Sequence, residues 1–163
     1  ACAAPVKHTR PMVDSALQNT YLAFAALSAE QVYAMLCLRA EVFVVEQQCV
    51  YLDPDGIDLQ AFHCLRFDEQ ELAACLRSVP PGIAYPDSTS LGRVAVSARA
   101  RSRGQGQEIV AAGIQFNRSH WPGCEIRISA QQYLQRFYEN LGFVVCSTPY
   151  LEDGIPHIAM RCE

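Results

Sequence analysis

The chain has 163 residues, of which 50% are hydrophobic and 18% are charged. A chain of this size buries one substantial core and is short for two ordinary domains, so we expect a flexible tail over residues 1–19 and a single domain over residues 20–163. The formal net charge of −4 excludes the broad basic surface that binding to a nucleic-acid backbone requires.

The predicted domain begins with a strand and a helix. An apolar run predicts a strand over residues 21–27. Ser28 and Gln31 have the spacing of a capping box, in which each side chain accepts the other residue's backbone N–H, and this predicts a helix reaching about Phe43. Residues 46–60 are rich in aspartate and are expected to form a loop.

Strands dominate the middle of the chain. Residues 61–67 and 72–79 predict two strands of a hairpin that turns at residues 68–70. A further strand is predicted over residues 91–97. After an arginine-rich loop, a helix is predicted over residues 105–119.

The last part of the chain alternates between strands and helices. A strand is predicted over residues 125–129, a helix over residues 131–141, and two strands over residues 143–149 and 156–162, joined through residues 152–154. Strands and helices mix without strict alternation along the whole chain. We therefore expect an α/β fold with a mixed sheet, in which strands run parallel only where a helix crosses over.

The loop before the second helix has the features of an anion-binding site. Gly104 and Gly106 open that helix, and a helix N-terminus presents unpaired N–H groups and the positive end of the helix dipole. A side chain at either glycine would hold a phosphate away from those groups. Arg99, Arg101 and Arg103 add charge-assisted donors beside them, so the segment suits a diphosphate.

Two common glycine-rich nucleotide motifs are excluded by single residues. A P-loop needs a lysine beside its last glycine, and the only lysine of the chain is Lys7. A dinucleotide-binding fingerprint needs a glycine or alanine three positions after the second glycine, where Ile109 stands. The diphosphate therefore belongs to another class of carrier.

Four segments together resemble one family. Residues 101–106, with the pattern Arg-x-x-Gly-x-Gly, resemble the pyrophosphate loop of the GCN5-related N-acetyltransferases (GNAT), which bind acyl-coenzyme A. Residues 126–143 resemble that family's late strand and helix, with an aromatic pair and a glycine stop. Residues 38–56 and 150–158 resemble its ElaA-like branch. The resemblance covers about residues 20–163.

The resemblance implies a GNAT fold that binds acetyl-CoA or coenzyme A and no metal. Its sheet is mixed and mostly antiparallel, has six to seven strands flanked by helices, and is splayed between the strands at residues 91–97 and 125–129. Ser102 departs from the family loop, which often has another glycine there. The residues implied to contact the cofactor are Val94, Ala95, Val96, Arg101, Ser102, Arg103, Gly104, Gln105, Gly106, Gln107, Gln131, Gln135 and Tyr138.

The resemblance also implies that a primary amine attacks the acetyl thioester directly, without a covalent enzyme intermediate. Backbone N–H groups near residues 94–96 would bind the pantetheine arm and the thioester oxygen. Tyr138 would protonate the departing thiolate, because a phenol keeps its proton at neutral pH and yields it as thiolate charge develops. The alternative for Tyr138 is an ordinary aromatic packed beside Phe137.

An ammonium must lose a proton before it can attack, so a carboxylate or imidazole is expected near the acceptor. Glu46, at the end of the first predicted helix, is the first candidate for this base, and its alternative is a solvated loop carboxylate. His63 and His157 are further candidates for the acceptor site. Each lies inside a predicted strand, where a histidine is more often a structural residue than a base.

Asp53 belongs to a small acidic patch that it forms with Asp55 and Asp58. Such a patch would attract a cationic acceptor. The favoured alternative is that these aspartates cap turns around Pro54 and Gly56.

The cysteines predict neither disulfides nor a metal site. No two of them have CxxC spacing and most lie in apolar runs, so we expect buried free thiols, with a zinc site as the alternative. The eight cysteines are at positions 2, 37, 49, 64, 75, 124, 146 and 162. An apolar run such as residues 21–27 is far shorter than the roughly 20 residues that a bilayer requires, so no membrane span is expected.

For partners, we expect an amine acceptor, either a small molecule or a protein, and neither nucleic acid nor a membrane. The chain is expected to be a monomer or a homodimer in the cytoplasm. Lys7, His8 and Arg10, with no acid before Asp14, indicate an organelle after removal of a targeting segment as the alternative location. At the level of function, the alternatives are an acyl-CoA-binding sensor or interaction module without turnover, and an acyltransferase that uses another acyl group or acceptor.

Overall fold

Eight strands form one mixed sheet with α-helices on both faces, in a computed structural model that describes residues 19–163. Residues 1–18, which hold nearly all of the predicted tail and its basic residues, lie outside the described residues. The strands are β1 (Asn19–Ala23), β2 (Phe62–Asp68), β3 (Glu71–Val79), β4 (Thr89–Val96), β5 (Ile126–Gln131), β6 (Val144–Val145), β7 (Tyr150–Glu152) and β8 (Ile155–Cys162). The α-helices are α1 (Ala29–Arg39), α2 (Gln105–His120) and α3 (Gln135–Glu139).

The sheet has the strand order β1-β2-β3-β4-β5-β8-β6, and β7 also pairs with β8. All of its pairings are antiparallel except that of β4 with β5, which the long crossover through α2 joins in parallel. The expectation of a mixed, mostly antiparallel sheet is confirmed. The predicted hairpin at residues 61–79 is also confirmed, with its turn between Asp68 and Glu71.

The prediction of one strand over residues 143–149 is wrong, because only Val144–Val145 of that range form a strand, and a separate short strand follows at Tyr150–Glu152. β6 ends at Val145, and at Ser147 the side-chain Oγ, rather than a backbone carbonyl, accepts the Ala159 N–H at 2.9 Å. Pro149 then has no N–H to donate to a ladder. The sheet therefore has eight strands in place of the six to seven expected.

The first predicted strand and helix also differ from their predicted bounds. β1 ends at Ala23 and a short 3-10 turn follows it. The capping box is confirmed: Ser28 N–H donates to Gln31 Oε1 at 2.9 Å, and Gln31 N–H donates to Ser28 Oγ at 3.2 Å. The helix extends past its α-helical part, since residues Ala40–Glu46 continue it as a π-helix.

The third predicted helix is shorter than residues 131–141. Gln131 still pairs with His157 in the sheet, and a 3-10 turn over Gln132–Leu134 leads into α3. Gly142, with a φ of 93°, ends this helix in the left-handed conformation that glycine adopts most easily.

Two hydrophobic layers hold the helices on the sheet. On one face, Ile109, Val110 and Ile114 of α2 pack against the inward residues of β3, β4, β5 and β8. On the other face, Met35 and Leu38 of α1 pack against β2, β3 and β4. No helix within residues 19–163 is long and apolar enough to cross a bilayer.

The seven cysteines of the described residues all have free thiols. Cys64, Cys75 and Cys162 are buried, as expected for these positions. The expectation of burial is wrong for Cys37 and Cys146, which are exposed. Cys37 lies on the outward side of α1, because the inward side of that helix is taken by Met35 and Leu38.

Candidate active site

The sheet opens between β4 and β5. These strands pair only at their first residues, Thr89 with Ile126 and Ser90 with Arg127. Beyond Ser90, β4 stays paired with β3 and β5 stays paired with β8, so the two strands diverge. The expected splay is confirmed, and it leaves a wedge in the middle of the sheet.

A β-bulge lies on the β4 side of this wedge. Two residues, Arg93 and Val94, oppose a single residue of β3, and Arg93 has a φ of 51°. A bulge leaves backbone groups of the extra residue unpaired and redirects the side chains around it. Val94 and Val96 consequently line the wedge, whereas the Ala95 side chain is fully buried against α1.

The N-terminus of α2 lies at the edge of the wedge. Gly104, with a φ of 74°, precedes the helix, and the first N–H bonded within the helix is that of Glu108, which donates to Gly104 O at 3.0 Å. The amides of residues 105–107 therefore have no partner in the helix. Ser102 adopts a φ of 65°, a left-handed conformation that glycine reaches more easily than serine does.

Gly106 faces the wedge from the first turn of α2. A Cβ atom at this position would lie 3.8 Å from Val96 Cγ2 and 4.0 Å from Phe137 Cζ, both ordinary contact distances. A larger side chain would project into the space between β4 and α3. Gln105 is buried, and its Oε1 atom has no hydrogen-bond partner among the described residues.

The loop arginines, Arg99, Arg101 and Arg103, take different positions. Arg101 lines the wedge, where Nε donates to Val96 O at 3.1 Å and the guanidinium pairs with Glu46. Arg99 pairs instead with Glu71 at 2.9 Å, on the far side of the loop. Arg103 lies 4.0 Å from Asp68 and does not line the wedge.

Tyr138 lines the wedge from α3. Its side chain is only 9% exposed and makes edge-to-face contacts with Phe137 and Phe143. Burial and the neighbouring Tyr133 phenol raise the pKa of Tyr138 to about 12. The phenol therefore keeps its proton throughout the neutral pH range, and in residues 19–163 no protein group bonds its hydroxyl.

The wedge continues into a cleft of about 1190 Å³. The cleft is large enough for a cofactor and a second ligand, because sites for single drug-sized ligands occupy about 300–1,000 Å³. The predicted site residues that line the cleft are Glu46, Val94, Val96, Arg101, Ser102, Gly104, Gln105, Gly106, Gln107, Gln131, Tyr138 and His157. Those outside its lining are Asp53, His63, Ala95, Arg103 and Gln135.

The two candidate histidines lie in different parts of the molecule, and only His157 lines the cleft. His63 is buried in the core of β2, where Nε2 bonds Asp58 O at 3.0 Å and burial lowers the pKa of the imidazole. It is therefore a structural residue away from the cleft. His157 lines the cleft, and Nδ1 donates to Ile155 O at 2.8 Å. In the neutral ring this bond leaves Nε2 as an acceptor.

The predicted acidic patch is part of a closed ion network. Each of its three arginines bridges two aspartates and each aspartate bridges two arginines, with N–O distances of 2.7–3.2 Å. One turn cap is present, since Asp55 Oδ1 accepts the Ile57 N–H at 3.0 Å. The main partners of the aspartates are nevertheless arginines, so Asp53 has no free charge for an acceptor. We call this set the buried ion network after its four buried members, Arg39, Arg77, Asp53 and Asp58. Its other two members are the half-buried Arg93 and the exposed Asp55, which line the cleft.

A group that the sequence analysis missed lies across the cleft. Ser129 Oγ is 2.6 Å from Tyr150 Oη and 2.6 Å from Glu152 Oε2, and all three residues line the cleft. We call this group the Ser-Tyr-Glu triad. Its signal was the alternation in β5, where residues 126, 128 and 130 are buried and Ser129 faces outward. Which residues would meet Ser129 depends on β7, a strand that was not predicted.

Comparison with known proteins shows similarity to one family of acetyltransferases. Residues 68–163 match the family described as acetyltransferase (GNAT) domain. A UPF0039 protein of Synechocystis is 45% identical over 138 residues, which cover 84% of this chain and 89% of that protein. Protein ElaA of Escherichia coli is 40% identical over 139 residues, which cover 84% of this chain and 90% of that protein.

Solved structures are similar as well. The crystal structure of an acyl-CoA N-acyltransferase from Pseudomonas aeruginosa has a TM-score of 0.86 and 38% identity, covering 91% of this chain and 100% of that one. The crystal structure of Escherichia coli ElaA has a TM-score of 0.85 and 37% identity, with the same coverage of 91% and 100%.

Proposed function

Because the chain belongs to the GNAT acetyltransferase family and is an acyltransferase, we propose that it moves an acetyl group from acetyl-CoA to a primary amine. The observation that carries this proposal is the divergence of β4 from β5 beyond Ser90, with the N-terminus of α2 at the edge of the opening. An extended ligand can pass through the sheet there and place one end against the unpaired helix amides.

The residues at this edge fit a diphosphate. The amides of residues 105–107 have no partner in the helix, and the absence of a side chain at Gly106 keeps them accessible. Arg101 adds a guanidinium that faces the same cleft. We propose that these groups hold the pyrophosphate of coenzyme A, and that backbone groups of the bulge at residues 93–94 hold the pantetheine arm and the thioester oxygen.

When bound, acetyl-CoA supplies the activated acetyl group. We propose that the amine attacks the thioester carbonyl directly, that the carbon–sulfur bond then breaks, and that Tyr138 gives its proton to the departing sulfur. The amine nitrogen loses a proton in the same reaction, which restores the Tyr138 phenol. The position of Tyr138 supports this role, because its side chain lines the cleft from α3 and its phenol is protonated at neutral pH.

The base that prepares the amine stays a proposal. Glu46 lines the cleft but pairs with Arg101, so its carboxylate becomes free to accept a proton only when Arg101 turns to a phosphate. His157, with Nε2 as an acceptor, is the second candidate. Measured pH–rate profiles of Glu46→Gln and His157→Gln would separate them, because loss of the base removes the acidic limb of the profile.

Calorimetric titration with coenzyme A tests the cofactor site. Gly106→Val places two methyl groups over the unpaired amides, and we expect it to weaken binding by about 1–3 kcal/mol. Gly106→Ala is the matched control, because its Cβ makes only ordinary contacts and the fold tolerates it. Unchanged affinity in a folded Gly106→Val protein would contradict the proposed site.

Release of free thiol from acetyl-CoA in the presence of amines tests the acid. Tyr138→Phe keeps the ring packing and removes only the hydroxyl, so we expect turnover to fall about 100-fold or more with coenzyme A affinity unchanged. Tyr33→Phe, on an exposed part of α1, is the control. If both variants turn over at the same rate, Tyr138 is only a packed aromatic.

The amine, as a small molecule or a protein, and the oligomeric state, as a monomer or a homodimer, stay predictions. The cytoplasmic location stays a prediction too. No group of three or more metal-ligating side chains is clustered in residues 19–163. The cleft residues that support the acyl-transfer proposal act through their own hydrogen-bond donors and acidic side chains.

A further inference from the structure

The Ser-Tyr-Glu triad lines a part of the cleft that has no role in the proposed reaction. Glu152 and Tyr150 come from β7, and Ser129 from the outward side of β5. The triad thus lies beyond the wedge, on the side of the sheet where Gln131 bonds Gln47 at 3.1 Å. This side faces α1 and its π-helical extension, opposite the face covered by α2.

The hydrogen bonds of the triad have a fixed direction. A carboxylate can only accept, so the single hydroxyl proton of Ser129 goes to Glu152, at 2.6 Å. The Tyr150 hydroxyl must then be the donor in its 2.6 Å bond to Ser129 Oγ. Every hydroxyl proton of the triad is therefore used within it. The lone pairs that remain on Glu152 and Tyr150 can only accept, which suits a ligand group with several N–H donors.

The charge of the triad points to the same kind of ligand. The other bonded carboxylates of the cleft are neutralised, since Glu46 pairs with Arg101, and Asp55 pairs with Arg77 and Arg93. Glu152 is oriented by a neutral hydroxyl instead. An oriented carboxylate without a cationic partner matches a single positive charge on the ligand.

Glu152 is exposed, and an aliphatic side chain lies next to it, since Ile155 pairs with Glu152 across β7 and β8. The half-buried Tyr85 ring lines the same cleft as Tyr150 and Glu152, and burial raises the pKa of its phenol. Ile83 and Ile155 line the same cleft. A ligand held at Glu152 therefore meets an apolar wall next to its charged group.

We propose that the Ser-Tyr-Glu triad binds the ammonium of the acceptor, and that the acceptor is a singly charged primary amine on an apolar or aromatic stem. This inference rests on the proposed function, because it assigns the acceptor side of the same cleft. The ammonium donates to Glu152 and Tyr150, and the stem packs against Tyr85 and the aliphatic wall.

Calorimetry with 2-phenylethylamine, titrated into the protein saturated with coenzyme A, tests the proposal without requiring turnover. We expect Glu152→Gln to weaken binding of this amine about tenfold, because a charge-assisted bond becomes a neutral one. Glu41→Gln, which removes an exposed carboxylate outside the cleft, is the matched control and should bind the amine as the unaltered chain does.

Two further probes isolate the charge and the stem. 2-Phenylethanol has the same stem without a charge, so Glu152→Gln should change its weak binding by less than about twofold. Spermidine carries several charges and no aromatic stem. Tighter binding of spermidine than of 2-phenylethylamine would overturn the proposed substrate class.

Failure of this inference is distinguishable from failure of the proposed function. If coenzyme A itself does not bind, the proposed function is wrong and the inference falls with it. If coenzyme A binds but 2-phenylethylamine does not, or binds Glu152→Gln as tightly as the unaltered chain, the cofactor site stands and the assignment of the triad is overturned.

Discussion

Two sets of three arginines meet carboxylates in opposite ways. In the buried ion network, every guanidinium is shared between two aspartates, and Arg39 is fully buried. The loop arginines before α2 are exposed and have one acidic partner or a loose pair of partners. An arginine shared between two aspartates has most of its donors committed to the fold, whereas an exposed arginine beside unpaired amides has donors left for a ligand.

The buried ion network and the loop arginines each place an arginine beside the wedge, Arg93 and Arg101. Arg93 belongs to the buried ion network and is also the residue of the β4 bulge, with Nε 2.8 Å from Asp53 Oδ1. The network ties the loop at residues 53–58 to α1, β3 and β4. It therefore holds the bulge whose backbone groups, in the proposed function, receive the thioester. Arg101, only eight positions later in the sequence, remains on the open side.

The largest expected effect is a loss of stability when the buried ion network is broken. Arg39→Met removes the partner of two buried carboxylates, and we expect the free energy of unfolding to fall by about 3–5 kcal/mol. Urea denaturation followed by circular dichroism measures this. Arg136→Met, at an exposed position of α3, is the control. A loss below about 1 kcal/mol would mean that the network contributes little more than a surface pair.

The network also predicts a pH dependence of stability. Burial alone would raise the pKa of Asp55, but Arg77 and Arg93 lower it from 3.8 to about 2. A carboxyl with a lowered folded-state pKa stabilises the fold above its unfolded value, so this contribution is complete above about pH 4 and is lost as pH falls toward 2.

Urea denaturation between pH 5 and pH 2.5 checks this dependence. The Asp55→Asn protein should lose less stability over that range than the unaltered chain, because it has one fewer carboxyl to protonate. Parallel curves for the two proteins would show that Asp55 is not held ionised by its arginines.

A smaller and different effect is expected at Arg101. Arg101→Gln should weaken coenzyme A binding by about 1–3 kcal/mol through the loss of charge-assisted bonds. Stability should change little, since the pair with Glu46 is exposed. Calorimetry and urea denaturation on the same protein give both numbers. A large loss of stability with unchanged coenzyme A affinity would show that Arg101 stabilises the fold and does not bind the cofactor.

The smallest effect is expected at Arg99. Its guanidinium pairs with Glu71 outside the cleft, so Arg99→Gln should change the free energy of unfolding by less than about 1 kcal/mol. Coenzyme A affinity should stay within about twofold. If Arg99→Gln weakens binding as much as Arg101→Gln, both arginines act on the phosphates.

Local signals in the sequence predicted local structure well. The capping box at Ser28, the hairpin turn at residues 68–70 and the helix start after Gly104 each depend on residues close together in the chain. The splay of β4 from β5 was expected only through the family resemblance, because nothing in either strand alone specifies where their pairing stops.

Contacts between residues far apart in the chain could not be predicted from the sequence. The aspartates at residues 53–58 looked like turn caps because their arginines lie on α1, β3 and β4. Glu46 and Arg101 were assigned to separate sites, and the structure pairs them across the cleft. The Ser-Tyr-Glu triad requires β7, whose start depends on the interruption at residues 146–149.

The central claim is that coenzyme A places its two linked phosphates on the amides at the start of α2. Its most direct test is a titration of the ¹⁵N-labelled protein with coenzyme A, followed by amide NMR. The account predicts large shifts for the amides of residues 105–107 and none for Gly123, a glycine in the turn after α2. Saturable binding that leaves the signals of the amides of residues 105–107 unchanged would contradict it.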